Sequence, residues 1–328
     1  MEENVNTRIL KSTTIIGGSS ALNILFRIVQ SKAVAVLLGP QGVGLMGLFN
    51  SVLGLASTLS GMGIATSGVR EIAASAEGGD RFQLSRTVLT FRRLTLVLGL
   101  VGALAVFSLR GWISQATFGS LEYSSSVGWL SLAVFFMVVS ASQTALIRGV
   151  RRIGDLARVS VLGTAVGTLL GIPMMVWWGT QGVVFYVLGV AGTTILVSWW
   201  YARRVKIETV PLSWNETWHA GRGLLKLGLA FMGAGLFTTA SVYLVKVFVT
   251  RQLGVHATGL YEAASALANV YIGFILGAMG ADFFPHLAGV SQDDAASNRL
   301  INAQAQIGTL LALPGILVAL ALGPWLLR

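Results

Sequence analysis

Nine long apolar stretches constrain the fold of this chain more than any other feature of its sequence. Each holds about 20 mostly apolar residues, which is the length an α-helix needs to cross the hydrocarbon core of a bilayer. The links between them are too short to hold a folded extramembrane domain. The sequence therefore predicts an all-α, polytopic membrane protein with about nine transmembrane helices. The stretches cover residues 13–38, 43–66, 94–115, 127–147, 159–178, 182–201, 227–249, 258–281 and 304–327.

The composition excludes a soluble enzyme and a disordered tail. Of the 328 residues, 54% are hydrophobic and 11% are charged, and the mean hydropathy is +0.74. Soluble domains carry about a quarter charged residues, so this chain cannot cover a water-facing surface. Forty glycines against six prolines fit transmembrane helices that pack closely through small residues. The absence of cysteine from the sequence excludes disulfides, thiolate nucleophiles and Cys-ligated metals.

The lysines and arginines are distributed unevenly between the two sides of the predicted spans. If the N-terminus lies in the cytoplasm, 17 of the 23 fall in inner segments, three in outer segments and three inside spans. Because basic residues in short loops stay on the cytoplasmic side, this count predicts a cytoplasmic N-terminus. It also explains the net charge of +10 without a nucleic-acid partner. Residues 1–12 are polar and precede no short apolar core, so we expect no cleavable signal peptide.

An internal repeat organises the spans. The link after the first span contains Leu38-Gly39 and Gly44-Leu45, and the link after the seventh contains Leu253-Gly254 and Gly259-Leu260, at an offset of 215. A second match, at an offset of 213, places 108–113 against 321–326. Six spans therefore repeat, and the second copy contains three. We expect an N-terminal lobe over 1–205, a cytoplasmic linker over 206–226 and a C-terminal lobe over 227–328, related by an axis along the membrane normal.

Four short motifs, in this order and spacing, carry a resemblance to a known family. They are Leu38–Leu45, Gly61–Ala65 running into Val69–Glu71, Ile147–Arg152, and Phe284–Leu287 at the end of the eighth span. The chain resembles the polysaccharide transporter branch of the MOP (multidrug/oligosaccharidyl-lipid/polysaccharide) superfamily. It is most similar to the Wzx-type lipid flippases for O-antigen and enterobacterial common antigen.

The resemblance implies a MOP/MATE-like bundle of two six-helix lobes, of which this sequence supplies the first lobe and half of the second. It implies a multi-pass protein of the bacterial inner membrane that is not an enzyme and needs no cofactor. The substrate would be an oligosaccharide on undecaprenyl pyrophosphate, moved from the cytoplasmic to the periplasmic leaflet by alternating access without ATP hydrolysis. The chain agrees in having no Gly-x-x-x-x-Gly-Lys-Ser/Thr loop. Membrane lipids and other polysaccharide assembly proteins are the further partners expected.

Arg27 is the strongest candidate for a substrate contact. A charge near the bilayer centre costs ~2.5 kcal/mol or more, so it usually faces a polar cavity. Each residue of an α-helix is rotated by about 100° from the one before it, so five polar residues of the first span lie close to one line along the helix. They are Ser20, Asn23, Arg27, Gln30 and Ser31. We interpret this stripe as a cavity wall that holds a pyrophosphate or a sugar. The alternative is a structural hydrogen-bond seam between helices.

Three further residues complete the predicted substrate cavity. Lys246 in the seventh span lies near the repeat equivalent of Lys32, so the two lobes would offer cations to one cavity. Two cations suit a diphosphate. The alternative for Lys32 is a stem that snorkels to the interface. Asn50 in the second span either lines the cavity or joins helices.

The acids and histidines give weaker predictions. Glu262 shares a stripe with Asn269 in the eighth span, and a carboxylate there would take up a proton and couple transport to the proton gradient. The alternative is a static salt bridge with Lys246 or Arg251. The three histidines show no metal-ligand spacing, so no metal site is predicted.

Three other functions remain open alternatives. A cation-coupled drug exporter of the related multidrug branch would favour acids in its cavity, whereas the first span offers Arg27. A membrane glycosyltransferase or polysaccharide polymerase would favour an Asp-x-Asp motif or a long outer loop, and the sequence contains neither. The second copy of the repeat is three helices short, which is the argument for a non-transporting fragment or a partner of the assembly machinery.

Overall fold

The computed structural model describes the backbone of residues 5–78, 81–208, 211–289 and 294–326, and within these ranges it contains helices and no β-strand. The all-α prediction is confirmed. Gly179–Gln181 forms a single 3₁₀ turn between α6 and α7. The helices are α1 (Val5–Gly61), α2 (Ile64–Glu77), α3 (Arg81–Ser108), α4 (Arg110–Phe118), α5 (Ser124–Gly149), α6 (Ile153–Trp178), α7 (Gly182–Ala202), α8 (Trp214–Gly289) and α9 (Asp294–Leu326).

Helix α1 consists of two arms joined at Gly39. Gly39 has φ 63° and ψ −166°, a backbone conformation that is essentially restricted to glycine. In a continuous helix residues 30 and 46 would lie ~24 Å apart, yet the Gln30 Nε2 donates to the Met46 Sδ at 3.6 Å. The chain therefore reverses at Gly39. The first arm (5–38) and the second arm (40–61) lie side by side, with the turn where the sequence predicted one.

Helix α8 contains a similar break at Gly254, which has φ 86° and ψ 170°. The hydroxyls of Thr250 and Thr258 are hydrogen-bonded at 2.8 Å, although eight residues of continuous helix would separate them by ~12 Å. The backbone thus also turns back at this glycine. We call residues 214–253 the first arm of α8.

Helices α6 and α7 form an antiparallel hairpin that packs closely at glycines. The contacting pairs are Gly163 with Thr194, Gly167 with Val190, and Gly171 with Tyr186. Each step of four residues forward on α6 is matched by four residues backward on α7, which is the register of antiparallel helices. A methyl group added at Gly167 would lie 2.8 Å from the Val190 Cα, so this approach requires glycine. Such small-residue contacts are typical of helix pairs in membranes.

Four helical stretches among the described residues are long and apolar enough to cross a membrane: Gly17–Gly61, Arg81–Ser108, Ser124–Gly149 and Ile153–Ala202. The first and last have 45 and 50 residues, enough for two crossings of ~20 residues each, and each contains one of the predicted turns. A fifth stretch consists of Trp214–Gly233 and Gly235–Ala266, bent by 42°. These stretches contain all or most of each of the first seven predicted spans, and the chain is a polytopic membrane protein.

The last two predicted spans, 258–281 and 304–327, are largely helical in the described backbone, within α8 and α9. Most of their side chains lie outside the described residues. The total of about nine transmembrane helices therefore stays a prediction for these two.

Helix α3 shows how apolar side chains are arranged on the exterior. Leu96, Leu100 and Leu104 recur every four residues and are 47%, 54% and 57% exposed. The opposite face is also apolar and is buried, as at Phe91 and Val106. A helix that is apolar all round, with one face exposed, is suited to contact with lipid.

Two apolar clusters fill the interior of the helix bundle, and a polar layer separates them. Phe49, Val134 and Met175 belong to the first cluster, whereas Ile72, Phe91 and Leu146 belong to the second. Between the clusters, the buried Ser198 hydroxyl of α7 donates to the Gln143 Oε1 of α5. Because buried polar groups cost free energy unless they are paired, this hydrogen bond fixes how α5 and α7 face each other.

Several helices extend beyond the apolar stretches on the side that the sequence predicts to be cytoplasmic, called the inner side below. Helix α3 begins at Arg81, well before the stretch 94–115, and α8 begins at Trp214, well before the stretch 227–249. The stretch 94–115 is interrupted at Leu109, between α3 and α4, and α2 forms a separate helix after Gly63. Hydropathy detects only the part of a helix that lies in hydrocarbon, so it misses the polar helical turns at the starts of α3 and α8.

The chain divides into two compact units, Met1–Thr258 and Gly259–Arg328. The first unit contains α1 to α7 and the part of α8 up to Thr258. The second contains the rest of α8 and α9. The lobe boundaries expected from the repeat, 1–205, 206–226 and 227–328, remain a prediction.

Candidate functional site

The polar stripe of α1 faces α6 at Asn23. The Asn23 Nδ2 donates to the Ser160 Oγ at 2.8 Å. Within the described part of the chain, the Asn23 Oδ1 is buried and accepts no hydrogen bond. A buried acceptor without a donor costs about 1–3 kcal/mol. A substrate hydroxyl that reached this oxygen would therefore bind favourably.

Arg27 lies one turn further along α1, and its side chain is exposed. Ion pairs that the structure shows elsewhere include Arg86 with Glu216, and both Arg152 and Arg158 with Asp155. Arg27 presents a cation on the polar stripe of α1, which is the arrangement expected of a contact to an anionic group.

Gln30 and Lys246 reach two consecutive residues of the second arm of α1. The Gln30 Nε2 donates to the Met46 Sδ at 3.6 Å, and the Lys246 Nζ donates to the Gly47 carbonyl at 3.4 Å. The sequence predicted that these side chains belong to one cavity, and the structure brings them to adjacent positions on one helix. Lys246 is half-buried, so its ammonium group lies among helices and not on the outer surface.

The position of Lys246 follows from the packing of the first arm of α8 against the second arm of α1. The facing pairs are Gly47 with Lys246, Gly54 with Thr239, Thr58 with Gly235, and Gly63 with Gly228. Their numbers rise on one helix as they fall on the other, so the two arms are antiparallel. At the inner end Gly63 and Gly228 touch through their backbones, because neither has a side chain.

The structure shows less about the remaining predicted site residues, Lys32, Asn50, Glu262 and Asn269. Lys32 and Asn50 are exposed. Glu262 is half-buried and belongs to the second compact unit. Asn269 lies in α8, but its side chain falls outside the described residues. The assignment of all eight residues to substrate or ion binding remains a prediction.

On the outer side, the first arm of α8 is tied to α4. The hydroxyls of Thr117 and Tyr243 are hydrogen-bonded at 2.7 Å. The Arg251 Nε donates to the Ala116 carbonyl at 3.2 Å. These bonds join the predicted N-terminal lobe to the first helix of the predicted C-terminal lobe.

On the inner side, Arg93 of α3 holds the linker that leads into α8. Its Nη1 donates to the Leu212 carbonyl at 2.7 Å and to the Thr217 Oγ1 at 3.1 Å. Its guanidinium lies over the Trp214 ring at 5.3 Å from the ring centroid. Arg93 therefore contacts the backbone just before α8 at Leu212, the first residue of α8, Trp214, and its first turn at Thr217. Charge-assisted bonds of this kind are the stronger hydrogen bonds in proteins.

The start of α8 is stabilised by a capping box. The Glu216 amide donates to the Ser213 Oγ at 3.2 Å, and the Ser213 amide donates to the Glu216 Oε2 at 2.8 Å. The bonds to the backbone and side chain of Ser213, together with the charge of Arg86 at 3.6 Å, hold the pKa of the Glu216 carboxyl below its usual value.

The sequence prediction missed the residues of this inner region. Arg86 and Arg93 were counted only as topological charges, and the links on both sides were treated as loops. The Ser213-x-x-Glu216 pattern is the signal that would have placed the start of α8 before its apolar stretch. In the described ranges, no group of three or more His, Cys, Asp or Glu side chains is arranged to hold a metal ion.

Comparison with known proteins adds the family context. Residues 33–328 match the model of a family described as polysaccharide biosynthesis protein. The chain is 24% identical over 322 residues to the lipid III flippases of Escherichia coli (strain K12) and of Shigella flexneri, an alignment that covers 97% of this chain and 75% of each of those proteins.

Solved structures share the fold. An inward-facing multidrug resistance MATE family transporter of the MOP superfamily superposes with a TM-score of 0.75 at 17% identity, over 93% of this chain and 71% of that one. The MATE multidrug transporter DinF-BH gives a TM-score of 0.69 at 14% identity, over 98% of this chain and 72% of that one. The MOP-type fold expected from the sequence motifs is confirmed.

Proposed function

The chain belongs to the family of polysaccharide biosynthesis proteins that its residues 33–328 match, and on that premise we propose that it flips a lipid-linked oligosaccharide across the membrane. The observation that carries this proposal is the similarity to lipid III flippases along 97% of the chain. We propose an oligosaccharide on undecaprenyl pyrophosphate as the substrate, moved from the cytoplasmic to the periplasmic leaflet. The product would supply O-antigen or another surface polysaccharide.

The charges in the helix bundle support an anionic substrate. Arg27 projects a guanidinium from α1, and Lys246 places an ammonium group beside Gly47 on the second arm of α1. A pyrophosphate accepts hydrogen bonds from both kinds of cation. Asn23 and Gln30, on the same stripe as Arg27, would contact the phosphates or the first sugar.

We propose alternating access as the mechanism, without ATP hydrolysis. The first arm of α8 is bonded to α4 on the outer side, through Arg251, and its linker is bonded to α3 on the inner side, through Arg93. Opening either side of a central cavity requires that the bonds on that side break while those on the other side hold. Bonds of this number and strength are reversible, since each contributes about 0.5–3 kcal/mol.

The distribution of charge supports the orientation proposed here. The basic residues lie mainly in the segments that would face the cytoplasm, so the N-terminus would lie there and the protein in the bacterial inner membrane. A multidrug exporter, which the MATE likeness in fold also accommodates, is the second candidate. It is disfavoured because the polar stripe of α1 carries a cation and no carboxylate.

Complementation of a flippase-null strain that lacks surface polysaccharide tests the proposal. The chain would be expressed as it is, as Arg27→Ala, and as Leu25→Ala, a control on the same helix whose apolar side chain is 58% exposed. We expect polysaccharide to be restored by the native chain and by the control. Arg27→Ala should reduce it by roughly 10- to 100-fold at equal expression, the range expected for one lost charge-assisted hydrogen bond.

Two outcomes would contradict the proposal. Full restoration of polysaccharide by Arg27→Ala would show that transport does not need the Arg27 cation. Failure of the native chain in several sugar backgrounds that a twelve-helix relative restores would argue against flipping by this chain. A version of the chain extended to twelve helices belongs in the same experiment.

A further inference from the structure

A polar cleft of about 530 Å³ lies on the inner side of the first compact unit, apart from the polar stripe of α1. It is bounded by α2, the first turns of α3 and the first turns of α8. Its size falls within the ~300–1,000 Å³ of small-ligand sites. Its principal polar residues are Glu71 on α2, Gln83, Arg86 and Thr90 on α3, and Asn215 and His219 on α8.

The lining of the cleft carries charges of both signs, two carboxylates and one guanidinium. The Arg86 guanidinium is paired with the Glu216 carboxylate at 3.6 Å, and Glu71 adds a second carboxylate to the rim. An anion would meet these two acids, and a cation would meet Arg86. The remaining polar groups are two amides, the hydroxyls of Thr87 and Thr90, and an imidazole, which offer both donors and acceptors. This combination favours a neutral ligand that both donates and accepts hydrogen bonds.

Thr90 provides an independent sign of a ligand. Its residue is 1% exposed and lines the cleft, and within the described part of the chain its Oγ1 has no hydrogen-bond partner. On the same helix the Thr95 hydroxyl donates to the Phe91 carbonyl at 2.9 Å, which is the usual way such a group is satisfied. Buried hydroxyls nearly always have a hydrogen-bond partner. A ligand in the cleft would supply the partner for the Thr90 Oγ1.

The wall contributed by α8 is shaped by small residues. Ala220 and Gly223 line the cleft together with Leu224 and Leu227. A Cβ added at Gly223 would meet no atom within 4 Å, so the space in front of this residue is open. Small and aliphatic side chains leave room for the C–H face of a sugar ring, while the polar residues opposite reach its hydroxyls.

We propose that this cleft binds neutral sugar residues of the lipid-linked oligosaccharide before translocation. The inference rests on the proposed function and adds a recognition site for the glycan, separate from the cations assigned to the pyrophosphate. Sugar hydroxyls donate and accept at once, which matches the mixed lining. Thr90 would bond one such hydroxyl, and the amides of Gln83 and Asn215 would bond others.

The test uses the absence of cysteine from the chain. A cysteine is introduced at Gly223 in the full chain, reconstituted in nanodiscs, and its reaction rate with a water-soluble maleimide is measured. The control carries Gly154→Cys, at another glycine whose added Cβ would meet no atom within 4 Å. The probes are maltotriose, mannotriose and triacetylchitotriose at millimolar concentration, with sodium pyrophosphate as the anionic comparison.

We expect at least one trisaccharide to slow labelling at Gly223→Cys several-fold and to leave Gly154→Cys unchanged, and pyrophosphate to protect neither. Adding Thr90→Val, which removes the hydroxyl and keeps the shape, should raise the half-protecting concentration ~3- to 10-fold, the range for one lost hydrogen bond. An unchanged thermal unfolding midpoint of the Thr90→Val chain would exclude misfolding as the cause.

Absence of protection by all three trisaccharides, or stronger protection by pyrophosphate, would overturn the proposal. The result is independent of the complementation test. A chain that restores polysaccharide but shows no protection would disprove the glycan cleft alone. A chain that shows protection but restores no polysaccharide would instead contradict flipping.

Discussion

Gly39 and Gly254 adopt nearly the same backbone conformation, with φ 63° and ψ −166° at the first and φ 86° and ψ 170° at the second. Each lies where a long helix turns back on itself. These are the two glycines that the sequence repeat pairs with each other. The two copies of the repeat therefore share a turn geometry as well as a pattern of residues.

Replacing either glycine by alanine should destabilise the protein by about 1–3 kcal/mol, since a side chain is strained in this backbone region. A Cβ at either position would meet no atom within 4 Å, so crowding does not contribute. Thermal unfolding in detergent measures the effect. Gly18→Ala is the matched control, because Gly18 is helical and equally uncrowded. Equal midpoints for all three variants would show that the turns tolerate side chains.

Lys246→Met should reduce polysaccharide export in the complementation assay by roughly tenfold or more, because it removes the charge and the bond to the Gly47 carbonyl but keeps the length of the side chain. Lys246→Arg should retain most of the export. Lys226→Met, at an exposed lysine of the same helix, serves as the control. Normal export by Lys246→Met at equal expression would exclude a role for this cation.

Arg93→Ala should loosen the linker before α8. The variant loses the bonds to Leu212 and Thr217 and the contact with Trp214. Tryptic cleavage at the nearby basic residues 203–206 should accelerate by ~10-fold or more, since charge-assisted hydrogen bonds contribute about 1.5–3 kcal/mol. Cleavage of an Arg148→Ala control should keep the native rate. An unchanged rate for Arg93→Ala would mean that other contacts hold the linker.

Acidification should weaken the capping box of α8. The pKa of Glu216 lies below its ordinary value of 4.5 in the folded protein, because Ser213 and then Arg86 favour the carboxylate. The carboxylate therefore stabilises the fold above pH 4.5, and this contribution is lost as the pH falls through the lowered pKa. Amide hydrogen exchange at 213–217, corrected for intrinsic rates, should accelerate over that range. In Glu216→Gln the exchange should be faster at neutral pH and nearly independent of acidification.

The sequence predicted the positions of helices well where the bilayer determines their length and composition. The apolar stretches 127–147 and 182–201 lie within α5 (Ser124–Gly149) and α7 (Gly182–Ala202), and the ends of stretch and helix nearly coincide. The turns at Gly39 and Gly179 occur where predicted. Inside hydrocarbon, length and apolarity are imposed on every spanning helix, so hydropathy alone locates them.

The sequence did not predict which partners the polar side chains contact. The partner of Asn23 lies 137 residues away in α6, and that of Lys246 lies 199 residues away in α1. Neither partner follows from the periodicity of a single helix. Both depend on which helices pack together and in which register. The cleft proposed to bind the glycan was missed for the same reason, since its polar residues come from three helices and lie outside the apolar stretches.

The extension of α3 beyond its apolar stretch sets the height of the cleft relative to the bilayer. Residues 81–93 precede that stretch and span about 20 Å of helix. Thr90 then lies ~6 Å from the hydrocarbon boundary and Gln83 ~16 Å, while the headgroup layer is ~5–8 Å deep. In the proposed binding mode, a lipid-linked oligosaccharide in that leaflet would keep its phosphates near the hydrocarbon boundary and extend its sugars past Thr90 towards Gln83. The proposed cleft would then bind the glycan while the lipid tail remains in the membrane.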